Sequence, residues 1–433
     1  MPHRSRTVGC ALVTAVLALT GCSGGPPPAD GGPTQLTFWS SLRGTQPVVD
    51  AFNATHTDIQ VNLDVVPSGA GGTNAKLTNA TRAGNAPDVS TMEYSALPGF
   101  AIDGAVRDLT ELVDEEFREQ LVPQSWDQTT FDGRVYGVPL DVEPMVLYYR
   151  RDLFAQHGIA VPRTWPEFEE AARALKAADP DVRLGTFFTN SGPHLAGLAQ
   201  QVGGQWFSTA GGHWSLEFTD PGTRRVAEFW QRLVDEDLVQ AEPVSSQQWQ
   251  AAINAGTVAT YIDGAWAAAA LVRSAPGGSG KWAAAPLPQW DPSRPAVGVK
   301  GGSVFAIGAD SPHPAEAMEF LRWMVTDPEA FRARLSSGAS SMYPAAPDLV
   351  SVADEGFDRT YFGGQDVYAL FRRESATIPE GWVWGPRMPA TDNLLEEGLA
   401  RVTFGGTVVE ALQQAQAESL PDMRALGLAV GAR

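Results

Sequence analysis

Two acids stand two residues apart in the stretch DVEP, Asp141 and Glu143. On an extended strand, residues i and i+2 share a face, so both carboxyls could meet one bound molecule. Carboxyls flanking a glycosidic bond can hydrolyse it when one keeps its proton and their separation is fixed. Outside a strand, nothing in the sequence sets that separation. The chain carries no nucleophile elbow, phosphate loop, HExxH or CxxC pattern, and its six histidines are scattered without metal-ligand spacing. Hydrolytic, phosphoryl-transfer and metal-dependent chemistry are therefore disfavoured. The acids remain as directed hydrogen-bond acceptors.

The second supply of chemistry is aromatic. All 13 tryptophans lie after residue 25, about twice an ordinary share. Some are expected to be free for stacking on a ligand. One, Trp266, closes the stretch YIDGAW directly after Asp263. Binding pockets combine apolar walls with a few directed polar groups, and both components are present here.

These residues need elements to position them. Strand-like and helix-like segments alternate, which points to an α/β fold. Residues 35–41 and 59–66 read as strands, with a helix between them carrying Val48, Val49 and Phe52. A helix ending at Gly84 and a strand opening at Asp88 follow. TWPEFEEAARALKAADP gives the clearest helix: Thr164 as N-cap, Glu167 completing a capping box, Trp165, Phe168, Ala172 and Leu175 on one stripe, and Pro180 as the stop. A second amphipathic helix turns Ala317, Leu321 and Met324 inward. The Gly/Pro-rich stretch 274–295 reads as exposed loop around one short strand. No repeat of 20–50 residues is visible.

The chain has 433 residues, enough for two domains. Past residue 25 no uncharged apolar run approaches the ~20 residues that cross a bilayer. Arg4 and Arg6 followed by the short apolar run 8–19 read as a secretion signal. Removing that segment leaves Cys22 as the one cysteine of the two, so no internal disulfide can form. The formal net charge is −19, and −21 without Arg4 and Arg6. So acidic a body repels phosphate backbones and anionic lipid surfaces, which argues against nucleic-acid binding.

Leu19-Thr20-Gly21-Cys22 resembles the bacterial lipobox, in which the cysteine thiol is diacylated and the chain is cut before it. Residues 1–21 are then a lipoprotein signal peptide. Residues 22–33, rich in Pro and Gly, form a flexible tether on a lipid anchor at Cys22.

Five further segments, in order, carry a larger resemblance: LTFWSS with VVDAFNATHTDIQVNLDVV, AGNAPDV at 83–89, the run 132–168 from DGRVYGVPLDVEP to RTWPEF, GTVATYIDGAW, and GGSVFAIGADSPHPAEAMEFLRWM. Together they resemble the extracellular solute-binding proteins of the carbohydrate-binding group, the partners of ABC importers. The resemblance implies a two-lobed, type II periplasmic-binding-protein-like α/β fold with a ligand cleft between lobes. The expected N-terminal lobe is 34–142 with 298–345, and the C-terminal lobe 143–297 with 346–433. Crossings are expected near 139–148, 297–303 and 343–347. The implied function is non-enzymatic capture of a neutral sugar or oligosaccharide by lobe closure and its delivery to permease subunits. The implied protein is a monomer at the extracytoplasmic face of the membrane, with no cofactor and no metal.

The resemblance places Trp266 against a sugar ring. Asp263 either accepts sugar hydroxyls or caps the helix that carries Trp266. Ser40, Ser41 and Glu93 end strands, where ligands of open α/β sheets sit. Trp39 is expected in the core. Asp141 flanks a hinge strand, and Gly302 offers close backbone approach. Tyr343, Trp384 and Arg387 complete the expected ligand-binding set. One of Trp382 and Trp384 is expected to be merely packed. Two alternatives stay open within binding and catalysis: a glycerophosphodiester, which would want cations such as Arg387 and Arg43, and a glycoside hydrolase. The pair Tyr148-Tyr149 could in principle hold ferric iron, but it falls where the family has a buried strand.

Overall fold

A computed structural model describes residues 32–336 and 340–432. The signal segment, Cys22 and nearly all of the expected tether lie outside the described residues.

Two sheets organise the chain, and each is built the same way. In the first, Ile59–Val65, Thr34–Ser40 and Val89–Glu93 run parallel, then Ser303–Ile307 enters antiparallel and Val138–Pro139 closes the edge. In the second, Val239–Glu242 pairs parallel with Gly185–Phe188. A parallel bridge from Arg183 to Val258 joins them to Thr260–Asp263. Val146–Arg150 then enters antiparallel, with Trp282–Pro286 at the edge. In both sheets the antiparallel fourth strand follows directly on a chain crossing.

Helices cover both faces of the parallel strands, so Val89–Met92 and Gly185–Phe188 are buried throughout. Over the first sheet, Phe38 meets Phe320 edge-on at 5.5 Å and Phe52 meets Phe320 at 4.8 Å. These contacts seat the helices Thr45–Thr55 and Pro314–Thr326, the latter with Ala317, Leu321 and Met324 buried. Over the second, Trp165 packs against Trp230, Phe229 and Trp290 at 5.5–5.8 Å.

The helix Trp165–Ala178 starts as its sequence dictates, with Thr164 Oγ1 accepting from Glu167 N at 3.2 Å. The capping box is incomplete: Glu167 Oε2 accepts from Arg163 N, one residue earlier than expected. Gly84 ends the helix Ala75–Ala83 in the left-handed region at φ 69°. Within 274–295 the strand Trp282–Pro286 is no loop accessory. It is a sheet edge with Trp282 fully buried.

Three segments pass between the sheets side by side. Leu140 N bonds to Ser303 O and Val142 N to Tyr343 O, while Met145 N bonds to Gly298 O and Lys300 N to Glu143 O. Residues 140–145, 298–303 and 342–345 thus form one narrow laced band. Against it packs the helix Gly192–Gln201, at a point where only glycine fits. A Cβ on Gly298 would lie 1.7 Å from Gly197 O.

Candidate functional site

The band of crossing segments carries the two acids. Asp141 Oδ1 accepts from Ser303 N at 2.6 Å, on the second crossing segment. Glu143 Oε2 accepts from Trp266 N at 2.7 Å. The two carboxyls are both buried and interact with each other electrostatically. Glu143 Oε1 is out of water and makes no hydrogen bond among the described residues. Burial pushes the Asp141 carboxyl up to about 6, against the pull of the Glu143 side chain, the Ser303 N–H and the more distant Arg334 charge. Burial, then the Asp141 charge, pushes Glu143 well above the carboxylate range. Two acids buried side by side disfavour carrying both charges, so the pair is biased toward keeping a proton.

Trp266 follows the strand Thr260–Asp263 and opens the helix Ala267–Ser274. Its indole is half-buried and clamped along its edge: Nε1 donates to Lys300 O at 3.0 Å. Lys300 Nζ lies 5.4 Å from the ring centroid. The clamp needs Gly301, whose φ is +92° and whose added Cβ would sit 2.9 Å from Trp266 Nε1.

A cavity of about 550 Å³ opens over this platform. Its walls come from both sheets. Ser41, Arg43 and Glu93 enter from the first, and Ser191, Trp266 and Arg273 from the second. Asp141, Glu143 and 300–303 form the floor. The arrangement offers one flat indole, one buried acid pair, serine hydroxyls and exposed cations.

Of the residues expected from sequence, Ser41, Glu93, Asp141, Trp266 and Gly302 come together here. Five do not. Ser40 is fully buried, and its Oγ closes the following turn through Thr45, Thr91 and Leu42 N. Asp263 is 0 % exposed and saturated by Lys300 Nζ, Tyr261 Oη and Gly264 N. It neither caps the Trp266 helix nor reaches the cavity. Tyr343 is buried, serving the band through its backbone oxygen. Trp384 is buried against Trp382 at 5.3 Å, with Nε1 on Gln128 Oε1. Both late tryptophans are packed. Arg387 lines a separate cavity of about 290 Å³ with Phe100 and Asn393, and its Nε donates to Asp422 Oδ2.

The tryptophan excess goes into the core. Among the described residues Trp266 is the one tryptophan in the cavity wall. Trp39 is half-buried, with Lys76 Nζ 3.8 Å above its ring. Tyr148 and Tyr149 diverge: Tyr148 Oη donates to Gly264 O and Tyr149 packs on Phe154. Sequence reasoning missed Lys300 and Arg273. For Lys300 a signal existed, a lone cation directly before the hinge pair Gly301-Gly302.

Residues 39–330 match the family described as bacterial extracellular solute-binding protein. An uncharacterised lipoprotein of Streptomyces antibioticus is 28% identical over 73% of this chain and 71% of its own length. A lactose-binding protein of Rhizobium radiobacter is 27% identical over 86% of this chain and 88% of its own. Among solved structures, the galacto-N-biose/lacto-N-biose I-binding protein of an ABC transporter from Bifidobacterium longum, in complex with lacto-N-biose, superposes with a TM-score of 0.81. It is 28% identical and covers 93% of this chain and 100% of that one. The architecture is the two-lobed type II fold of such proteins.

Proposed function

The chain belongs to the bacterial extracellular solute-binding protein family, and on that premise we propose that it captures a neutral sugar or oligosaccharide for an ABC importer. The observation that carries the reading is the cavity itself: an indole and a buried acid pair between walls from two sheets. An apolar ring face stacks on Trp266 while hydroxyls bond to Glu93, Asp141 and Ser41. Only a ligand that touches both lobes favours their closure. The sugar ligands named for the Rhizobium and Bifidobacterium relatives support the same class.

The division that fits the laced band is 34–142 with 298–345 in one lobe and 143–297 with 346–433 in the other. The protein binds without turnover, acts as a monomer and hands its cargo to permease subunits. A lipid on Cys22 holds it at the outer face of the membrane. Thermal denaturation with a panel of mono- and disaccharides, glycerophosphocholine, spermidine and ferric citrate tests the ligand class. A micromolar ligand at millimolar concentration stabilises by ~4 kcal/mol. Stabilisation by glycerophosphocholine alone, with no response to any saccharide, would overturn the sugar reading.

A further inference from the structure

The acid pair sits where the hinge, the ligand cavity and the Trp266 platform meet. Each carboxyl spends one oxygen on a backbone N–H of a different element, Ser303 of the second crossing segment and Trp266 of the second lobe. Both acids are buried two residues apart on the same crossing segment, and two bare carboxylates there would repel. A single proton therefore decides whether both backbone bonds can persist together.

An alternative partner is in place. Arg334, on the helix Pro328–Leu335, is 1 % exposed, and none of its three guanidinium nitrogens has a hydrogen-bond partner among the described residues. Its charge attracts Asp141 without forming an ion pair. Such a group is held at a cost that an arriving carboxylate would relieve.

The other groups facing the pair are accounted for. Tyr94 donates its hydroxyl to Asp141 O, and burial keeps it protonated. Tyr148 and Tyr368 face Glu143, and burial raises both. Lys300 is committed to Asp263. Across the cavity stand Glu93, Arg43 and Arg273.

We propose that the proton shared by Asp141 and Glu143 is a switch on ligand capture. With the proton in place, Asp141 holds Ser303 and Glu143 holds Trp266, and the cavity keeps its ligand-binding shape. Without it, Asp141 turns toward Arg334, the Ser303 bond opens and the ligand is released. The proton leaves to solvent through the cavity. The proposal rests on the sugar-binding reading of this site, and it makes binding proton-linked: the liganded state keeps the proton more tightly than the free state.

The test is calorimetry of the full chain with the saccharide that thermal denaturation identifies, across pH 5–9 in two buffers of different ionisation enthalpy. Wild type should lose affinity as pH rises, by up to about tenfold per pH unit once the free pair has lost the proton, with net proton uptake on binding. Glu143→Gln, which donates permanently, should flatten that slope whatever its affinity. A pH-independent Kd with no buffer dependence, or an unchanged slope in Glu143→Gln, overturns the switch while leaving the sugar reading intact. If no saccharide binds at any pH, the sugar reading falls and ligand-free measurements decide the switch. In the wild-type minus Glu143→Gln difference spectrum, which cancels the buried Asp392 carboxyl, the infrared band of a protonated carboxyl should be present at pH 7. Its loss at higher pH should coincide with faster hydrogen exchange, corrected for intrinsic rates, at the Ser303 amide. A Ser303 amide that stays protected when the band disappears overturns the proposal.

Discussion

Glu143 holds the backbone N–H of Trp266 at 2.7 Å across 123 positions of sequence. The indole platform is thereby fixed to the hinge and not merely to its own helix. We expect Trp266→Ala to weaken saccharide binding by about 2 kcal/mol or more, a roughly thirtyfold rise in Kd. Trp384→Ala should instead leave Kd unchanged and lower stability by about 3–5 kcal/mol, because that ring is packed core. Calorimetry and urea denaturation of both variants separate the two roles.

Gly298 touches Gly197 backbone to backbone. Its added Cβ would lie 1.7 Å from the Gly197 oxygen, and no side-chain rotation relieves that overlap. Gly298→Ala should therefore cost about 3 kcal/mol or more in denaturant unfolding. Gly280→Ala provides the contrast: its added Cβ meets nothing within 4 Å. Any cost there comes from its positive φ of 74° alone. Equal costs for the two substitutions would refute the close-packing argument.

Lys300 and Asp263 form a buried ion pair at 2.5 Å, 8 % and 0 % exposed. Removing one partner strands the other charge. Lys300→Met should cost about 3–5 kcal/mol, and the double variant Lys300→Met/Asp263→Leu should recover part of that loss. A double variant whose costs simply add would show that the two side chains act independently.

Asp392 supplies a pH dependence of its own. Its Oδ1 is out of water and has no hydrogen-bond partner among the described residues. Burial, then the Glu396 charge, pushes the carboxyl up to about 8. The folded state binds this proton more tightly than the unfolded chain, where the value is 3.8. Its contribution to stability is thus full below about pH 4 and lost as pH rises through 8. Wild type should unfold more easily at pH 9 than at pH 6, and Asp392→Asn should shrink that difference. Denaturation midpoints at the two pH values report it.

Cys22→Ser removes the thiol on which the anchor proposal depends. We expect the variant in the medium and the wild type in the membrane fraction of expressing cells. Membrane retention of the variant would contradict lipid anchoring.

Much of the fold was legible because local signals agreed with it. Thr164 and Gly84 mark helix ends through caps that depend only on neighbours in sequence. The strand Val89–Glu93, which ends at a cavity residue, follows from the helix stop at Gly84 and the opening at Asp88. The late region was not legible. Whether Trp384 or Arg387 faces the cavity depends on how Gln128 and Asp422 approach from distant segments. Asp263 misled for the same reason: its partner Lys300 is 37 residues away, and only packing reveals that the acid is consumed. An abundance of tryptophan is likewise ambiguous, since Trp165, Trp206, Trp230 and Trp282 serve the core as readily as others could serve a ligand.

The most direct test is a crystal structure of the protein with the saccharide that stabilises it most. The account predicts a sugar ring lying flat on Trp266, with hydroxyls bonded to the acids of the cavity floor and contacts from both lobes. A sugar bound in the cavity beside Arg387, or one that leaves the Trp266 face bare, would contradict it.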